Sequence, residues 1–274
     1  MKTFSVVFVV LFSFLLVPTG VRGESADPLI RNVVQNLKQD MSLLAEYGAH
    51  QRIVTTKLTE QGTPKRVEEK ILQTIWVHNK PKNELIGASC KDFDVRTGKA
   101  RHCIDAIKVN SQQNSKPGKM ESEIKKIRWT ELHRNFEFTL LPDEGQYHVF
   151  SFQPKENGIT PSNRIEKLMT KMAGKVWVDK QFSVVRAEAK LVSPVSFGLG
   201  VAAKVHHIGI QYHQQPFQNV WLPSSLTVDF KAKIALVHTE RQRIEVIWRE
   251  PYRRTDAIWA QANPIPNSSA STRR

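Results

Sequence analysis

Leu226-Thr227-Val228-Asp229-Phe230-Lys231-Ala232-Lys233-Ile234-Ala235-Leu236-Val237-His238 is the stretch that decides the fold class. Its even positions are apolar up to Leu236, while its odd positions include Thr227, Asp229, Lys231 and Lys233. Alternation at period two gives a strand one dry face and one wet face. The pattern continues on both sides of this stretch. Upstream, Ile208, Ile210 and Tyr212 alternate with His207, Gln211 and His213; downstream, Ile244, Val246 and Trp248 alternate with Arg243, Glu245 and Arg249. Residues 175–191 place Val176, Val178, Phe182 and Val184 in one phase, then Val185, Ala187, Ala189 and Leu191 in the other. Such a shift of phase predicts a turn or a bulge. No helical pattern interrupts residues 174–252, so the segment reads as antiparallel sheet.

Working outward, Asp27 followed by Pro28 is a helix start: a side-chain acceptor at the cap, then a ring that needs no amide donor. Ile30, Val33, Val34, Leu37, Met41 and Leu44 recur every three or four residues, which predicts an amphipathic helix ending near Tyr47-Gly48. Residues 51–60 and 67–79 flank Gln61-Gly62-Thr63-Pro64 and form a hairpin. A polar loop is expected over 110–118, and a second amphipathic helix over about 120–134 from Met120, Ile124, Ile127 and Leu132. Residues 136–141 and 147–153, joined by Pro142-Asp143-Glu144-Gly145, make a further hairpin, and 163–172 a short helical turn.

The chain has 274 residues, 40% of them hydrophobic, enough for a sizeable core. Lys2, an apolar run over 4–17, Pro18 and a small-residue exit at Gly23 have the form of a secretory signal over 1–23. The rival reading, a membrane anchor, needs a longer apolar run of about 20 residues. Residues 24–256 are expected to form one domain, and 257–274, rich in serine and proline, a disordered tail. The formal charge of +14 suits acidic surfaces such as anionic headgroups, or simply keeps an exported chain soluble. Nucleic acid is not an expected partner of an exported chain.

Cys90 and Cys103 are the only cysteines. In an exported chain such a pair is more often a disulfide than a site, and a hairpin turning at 95–98 would set them opposite each other. A redox or metal pair is the competing reading, which the spacing does not favour.

Trp177-Val178-Asp179, Val220-Trp221-Leu222-Pro223 and Tyr252-Arg253-Arg254 resemble the LolA/LolB-like outer-membrane lipoprotein-sorting superfamily, in particular its larger exported members. The resemblance extends over about 27–254. It implies an α+β, β-dominated fold: an open, half-closed, curved antiparallel β-barrel with two or more helices covering a concave face that holds acyl chains. It also implies a periplasmic location. Family members often have a glycine turn between the last two long strands, where this chain has Lys231-Ala232-Lys233.

Sites for chemistry are sparse. His206 and His207 point to opposite faces of a strand, and His207 and His213 lie roughly 20 Å apart along one, so no common metal ion is expected. There is no Gly-x-Ser-x-Gly elbow, paired-histidine helix or phosphate-cradling glycine loop. Asp179 and Glu188 are the nearest approach to an acid pair. The expectation is therefore a non-enzymatic, cofactor-free, monomeric carrier of lipid, acyl chains or lipoprotein. Its cavity candidates are Val228, Phe230, Ile234, Leu236, Val246 and Trp248, gated by Phe197 and Leu199. The alternative is an envelope interaction or regulatory module with a filled core, contacting an envelope protein or an anionic membrane surface; an undetected hydrolase is a third reading.

Overall fold

The computed structural model describes residues 27–253 apart from 45, 78–79, 104–135, 156–159, 162, 199–202, 219 and 236. Helix α1 (Asp27–Leu44) precedes β1 (Tyr47–Leu58), β2 (Pro64–Val77), β3 (Lys80–Phe93) and β4 (Ala100–His102). Then follow β5 (Phe136–Glu144), β6 (Tyr147–Pro154), α2 (Arg164–Met169), β7 (Met172–Val178) and β8 (Val184–Leu191). Short β9 (Val195–Phe197) leads to β10 (Ala203–Phe217), β11 (Val220–Ile234) and β12 (His238–Arg253). The signal, the 110–118 loop, the 120–134 helix and the tail all lie outside the described residues.

All strands join one sheet of 12, in the order β4-β3-β2-β1-β12-β11-β10-β8-β7-β6-β5, with β9 beside β10. Every pairing is antiparallel. The outermost strands, β4 and β5, do not pair with each other, so the sheet is open. Its centre is a seam between the first strand and the last, with Tyr47 opposite Arg253 and Leu58 opposite Arg241.

One face carries the core. Val178, Ile210, Tyr212, Leu226, Val228, Ile244, Val246 and Trp248 belong to one buried cluster with Phe136, Phe150 and Phe152. This is the outcome that period-two alternation dictates. Val33 and Leu44 bring α1 into the cluster, and Ile165 and Met169 bring in α2, whose first amides are capped by Asn163 Oδ1.

The 226–238 stretch is not one strand. It ends at Ile234, and His238 stands opposite Ile234 across a three-residue hairpin loop. Ala235 supplies the left-handed backbone, at φ 48°, and the Val237 amide donates to Ile234 O over 3.3 Å. The apolar phase ran on past this strand end to Leu236, which lies outside the described residues, and Val237 in the loop is 86% exposed. The phase shift between Val184 and Val185 is a β-bulge: Val184 faces Val178 and Arg186 faces Trp177, which leaves Val185 as the extra residue.

Candidate functional site

The predicted lining residues separate into two groups. Val228, Val246 and Trp248 are only 3–6% exposed and sit inside the core cluster. Phe230 is part-exposed, between Ile208 on β10 and Gln242 on β12, and Ile234 at the strand end is 38% exposed. Phe197, on β9, is part-buried beneath the Lys167 ammonium, 5.7 Å from its ring, and Lys167 Nζ also donates to Ser196 O. Leu199 and Leu236 lie outside the described residues.

Helix α1 docks on the sheet through a polar latch as well as an apolar stripe. Asn36 Nδ2 donates to Gln181 O (2.7 Å) and to Ser183 Oγ (2.9 Å), and Ser183 Oγ donates to Asp40 Oδ2 (3.3 Å). Burial pushes the Asp40 carboxyl above the ordinary aspartate range; the Ser183 hydrogen bond opposes that, and the negative charge of Asp179 adds to it. Burial also pushes the Tyr212 hydroxyl up.

Asp179 organises the turn against which this helix rests. Its Oδ1 accepts the Gln181 and Ser183 amides, and its Oδ2 accepts Trp221 Nε1–H at 2.8 Å. On the opposite face of the sheet, Trp177 packs with Val149 and Val185 as a second cluster joined by Trp221. Trp177 Nε1–H donates to Glu144 (2.8 Å), and the Arg186 guanidinium lies 4.3 Å above its ring. The Trp-Val-Asp and Trp-Leu-Pro steps therefore form one clamp between the β7–β8 turn and the start of β11. The same bonds account for Asp179 as a turn acceptor, while Glu188 pairs with Arg186.

A trough of about 770 Å3 crosses that opposite face. Lys175, Glu188, Lys190, Gln211, Asp229 and Arg243 are among its lining residues, and Gly174 and Gly209 lie along it. Much of its charge is internally matched: Arg243 holds Asp229 through two hydrogen bonds of 2.9 and 3.2 Å. Beside it, burial and then the Arg186 charge lower the proton affinity of His213. The wet positions were readable from alternation; the concavity depends on sheet curvature, for which no residue pattern is a signal.

Cys90 and Cys103 are joined as a disulfide across the β3–β4 hairpin. Among the described residues, the group of potential metal ligands that falls within reach of one ion is these two sulfurs with Asp92, and both sulfurs are already bonded.

No family model matches the chain, and no curated protein is similar to it. A solved structure titled "Lipid-protein interactions in lipovitellin" is similar over 76% of this chain and 25% of that one, at 8% sequence identity and a TM-score of 0.35. This chain thus spans a quarter of that protein's length, and a likeness so slight bears on neither family nor ligand.

Proposed function

We propose that this chain is a non-enzymatic carrier that holds an acyl chain or other apolar ligand against the core face of its open sheet, in the manner of the LolA/LolB-like lipoprotein-sorting proteins. The observation that carries the reading is a sheet open at both edges with an apolar cluster running from β1 to β6, at whose margin Phe230 and Ile234 keep part of their surface uncovered. Apolar burial yields about 25 cal/mol per Å2 and is indifferent to chain identity, which suits a carrier of mixed acyl chains. Location in the periplasm or another exported compartment belongs to the same proposal; the disulfide is of the kind that persists in oxidising surroundings.

Native mass spectrometry of the chain recovered after export without detergent, followed by solvent extraction, tests the reading. A stoichiometric lipid adduct supports it. A clean apo mass, unchanged after incubation with phospholipid or a lipopeptide, sinks it. Phe230→Ala is expected to weaken ligand retention about ten-fold while costing less than about 1 kcal/mol in stability, since Phe230 is not fully buried.

A second reading, an interaction module with a filled core, is favoured by the near-complete burial of Val228, Val246 and Trp248. It predicts partner binding through the outer face, strongly weakened by salt, with no co-purifying lipid.

A further inference from the structure

The strand register brings three hairpin tips to one end of the sheet. Leu58 faces Pro64 and Arg241, Arg66 faces Asp92, and Ile234 faces His238, so the loops 59–63, 94–99 and 235–237 project together. Arg241 Nη1–H donating to Glu60 O, at 3.4 Å, ties the first tip to the third. Val95 and Val237, in two of these tips, are 54% and 86% exposed, with Ile234 beside them at 38%.

Behind the third tip the wet face is a ladder of like charge. Lys204 stands directly opposite Lys233, and Lys231 stands between His207 and Arg241. Like charges facing each other across strands oppose folding. The three lysines are exposed; Asp229 holds Arg243, Glu240 faces Ala232 on the other side of the sheet, and Glu60 is an exposed acid in the first tip. A ladder built against its own stability, with an uncovered apolar tip one residue further on, calls for an anionic partner with an apolar interior.

We propose that this end of the sheet is a membrane-docking surface: Val237, with Ile234 beside it, enters the headgroup boundary of an anionic bilayer while Lys204, Lys231 and Lys233 contact the headgroups. The dimensions match. At about 3.3 Å per residue, Lys233 stands roughly 3 Å behind Ile234, within a headgroup layer of about 5–7 Å, and Lys231 roughly 10 Å behind it, just outside that layer, where its long side chain extends to the headgroups. Ala235 takes up left-handed backbone at the turn, and an exposed apolar residue next to lysines is the pairing that suits a headgroup boundary. The docking surface is independent of the carrier reading and stands without a bound ligand.

The test is flotation of the exported full chain with vesicles of phosphatidylcholine alone or mixed with phosphatidylglycerol. Binding is expected only to the anionic vesicles, falling about five-fold for each lysine in Lys204→Gln, Lys231→Gln and Lys233→Gln. Lys231→Arg and Lys233→Arg should retain it. Val237→Asp should lose about ten-fold, and Val237→Trp should give a blue-shifted emission quenched by brominated lipid. Melting curves establish that each variant is folded, since these positions are exposed. Equal binding to neutral vesicles, indifference to these substitutions, or no vesicle binding by the folded chain overturns the proposal; salt-sensitive capture of a protein through the same lysines without vesicle binding does so in favour of a protein partner.

Discussion

The two wings of the sheet are built on different terms. From β6 to β12 the core side is dry, with Phe150, Val178, Tyr212 and Leu222 at 2% exposure or less. From β1 to β3 the buried positions turn polar: Gln51, Thr55, Glu68 and Thr74 are all under 9% exposed. Thr74 Oγ1 lies 3.2 Å from Gln51 Oε1 and 2.9 Å from Asn83 Oδ1, Arg66 lies 2.8 Å from Glu68, and the disulfide closes the far hairpin. One wing is stabilised by excluding water; the other by buried polar contacts, an ion pair and a covalent link. The second kind is more sensitive to a lost partner, the first to lost volume or shape.

The largest difference is expected between two glycines. A Cβ on Gly174, in β7, would lie 1.8 Å from Glu188 O and 2.8 Å from Ala189 Cα, both backbone atoms. Gly174→Ala should cost about 4 kcal/mol or more and leave little folded protein. Gly87→Ala, in β3, meets only the Ile71 side chain, at 3.9 Å or beyond, and should stay within about 0.5 kcal/mol. Chemical denaturation of the pair compares them directly. If both are tolerated, the tight packing claimed for the dry wing is wrong.

Next comes the staple. Replacing both Cys90 and Cys103 by serine is expected to cost about 3 kcal/mol, from loop-closure entropy. Hydrogen exchange should place the loosening first in β2 to β4. Uniform loosening across the sheet would erase the division between wings.

Isosteric exchanges in opposite directions sharpen it further. Val178→Thr buries a hydroxyl in the dry wing and should cost about 2 kcal/mol, whereas Thr74→Val removes one from the polar wing and should cost about 1 kcal/mol, since the one hydroxyl proton shared between the Gln51 and Asn83 oxygens is lost.

The smallest effect is electrostatic. Asp40 takes up its proton more readily in the folded chain than its ordinary value of 3.8 implies, mainly through burial. Its favourable contribution is therefore complete below that value and is lost as pH rises through the higher folded one. Asp40→Asn should raise the melting temperature slightly at pH 7 and leave it unchanged near pH 3. A rise of equal size at both pH values would dismiss the titration and leave only a packing effect.

Legibility in the sequence followed the same division. Alternation located every long strand from β7 to β12, because one dry face repeats every second residue there. Gly62, Gly98 and Gly145, all at positive φ, marked three hairpin turns. Ala235 hid the turn between β11 and β12, since an alanine in left-handed backbone carries no compositional sign. On the site, Val228, Val246 and Trp248 read as lining and lie in the core cluster, because apolar periodicity reports burial and is silent on whether ligand or protein does the burying. The trough was equally silent: Gly174 and Gly209 read as strand residues, and only the paired register places them together.

The β1–β12 seam has a consequence for how the molecule comes into being. His50 and Glu250, bonded across it, are 200 residues apart. A ribosome delivers one side of this junction long before the other, so the hydrogen-bonding edge of β1 waits for its neighbour while β2 to β11 are made. Closure of this seam is thereby tied to the synthesis of β12. Until Arg253 emerges, the nascent polypeptide has the unpaired strand that holdase chaperones capture, and any early stop yields a product with its middle seam open.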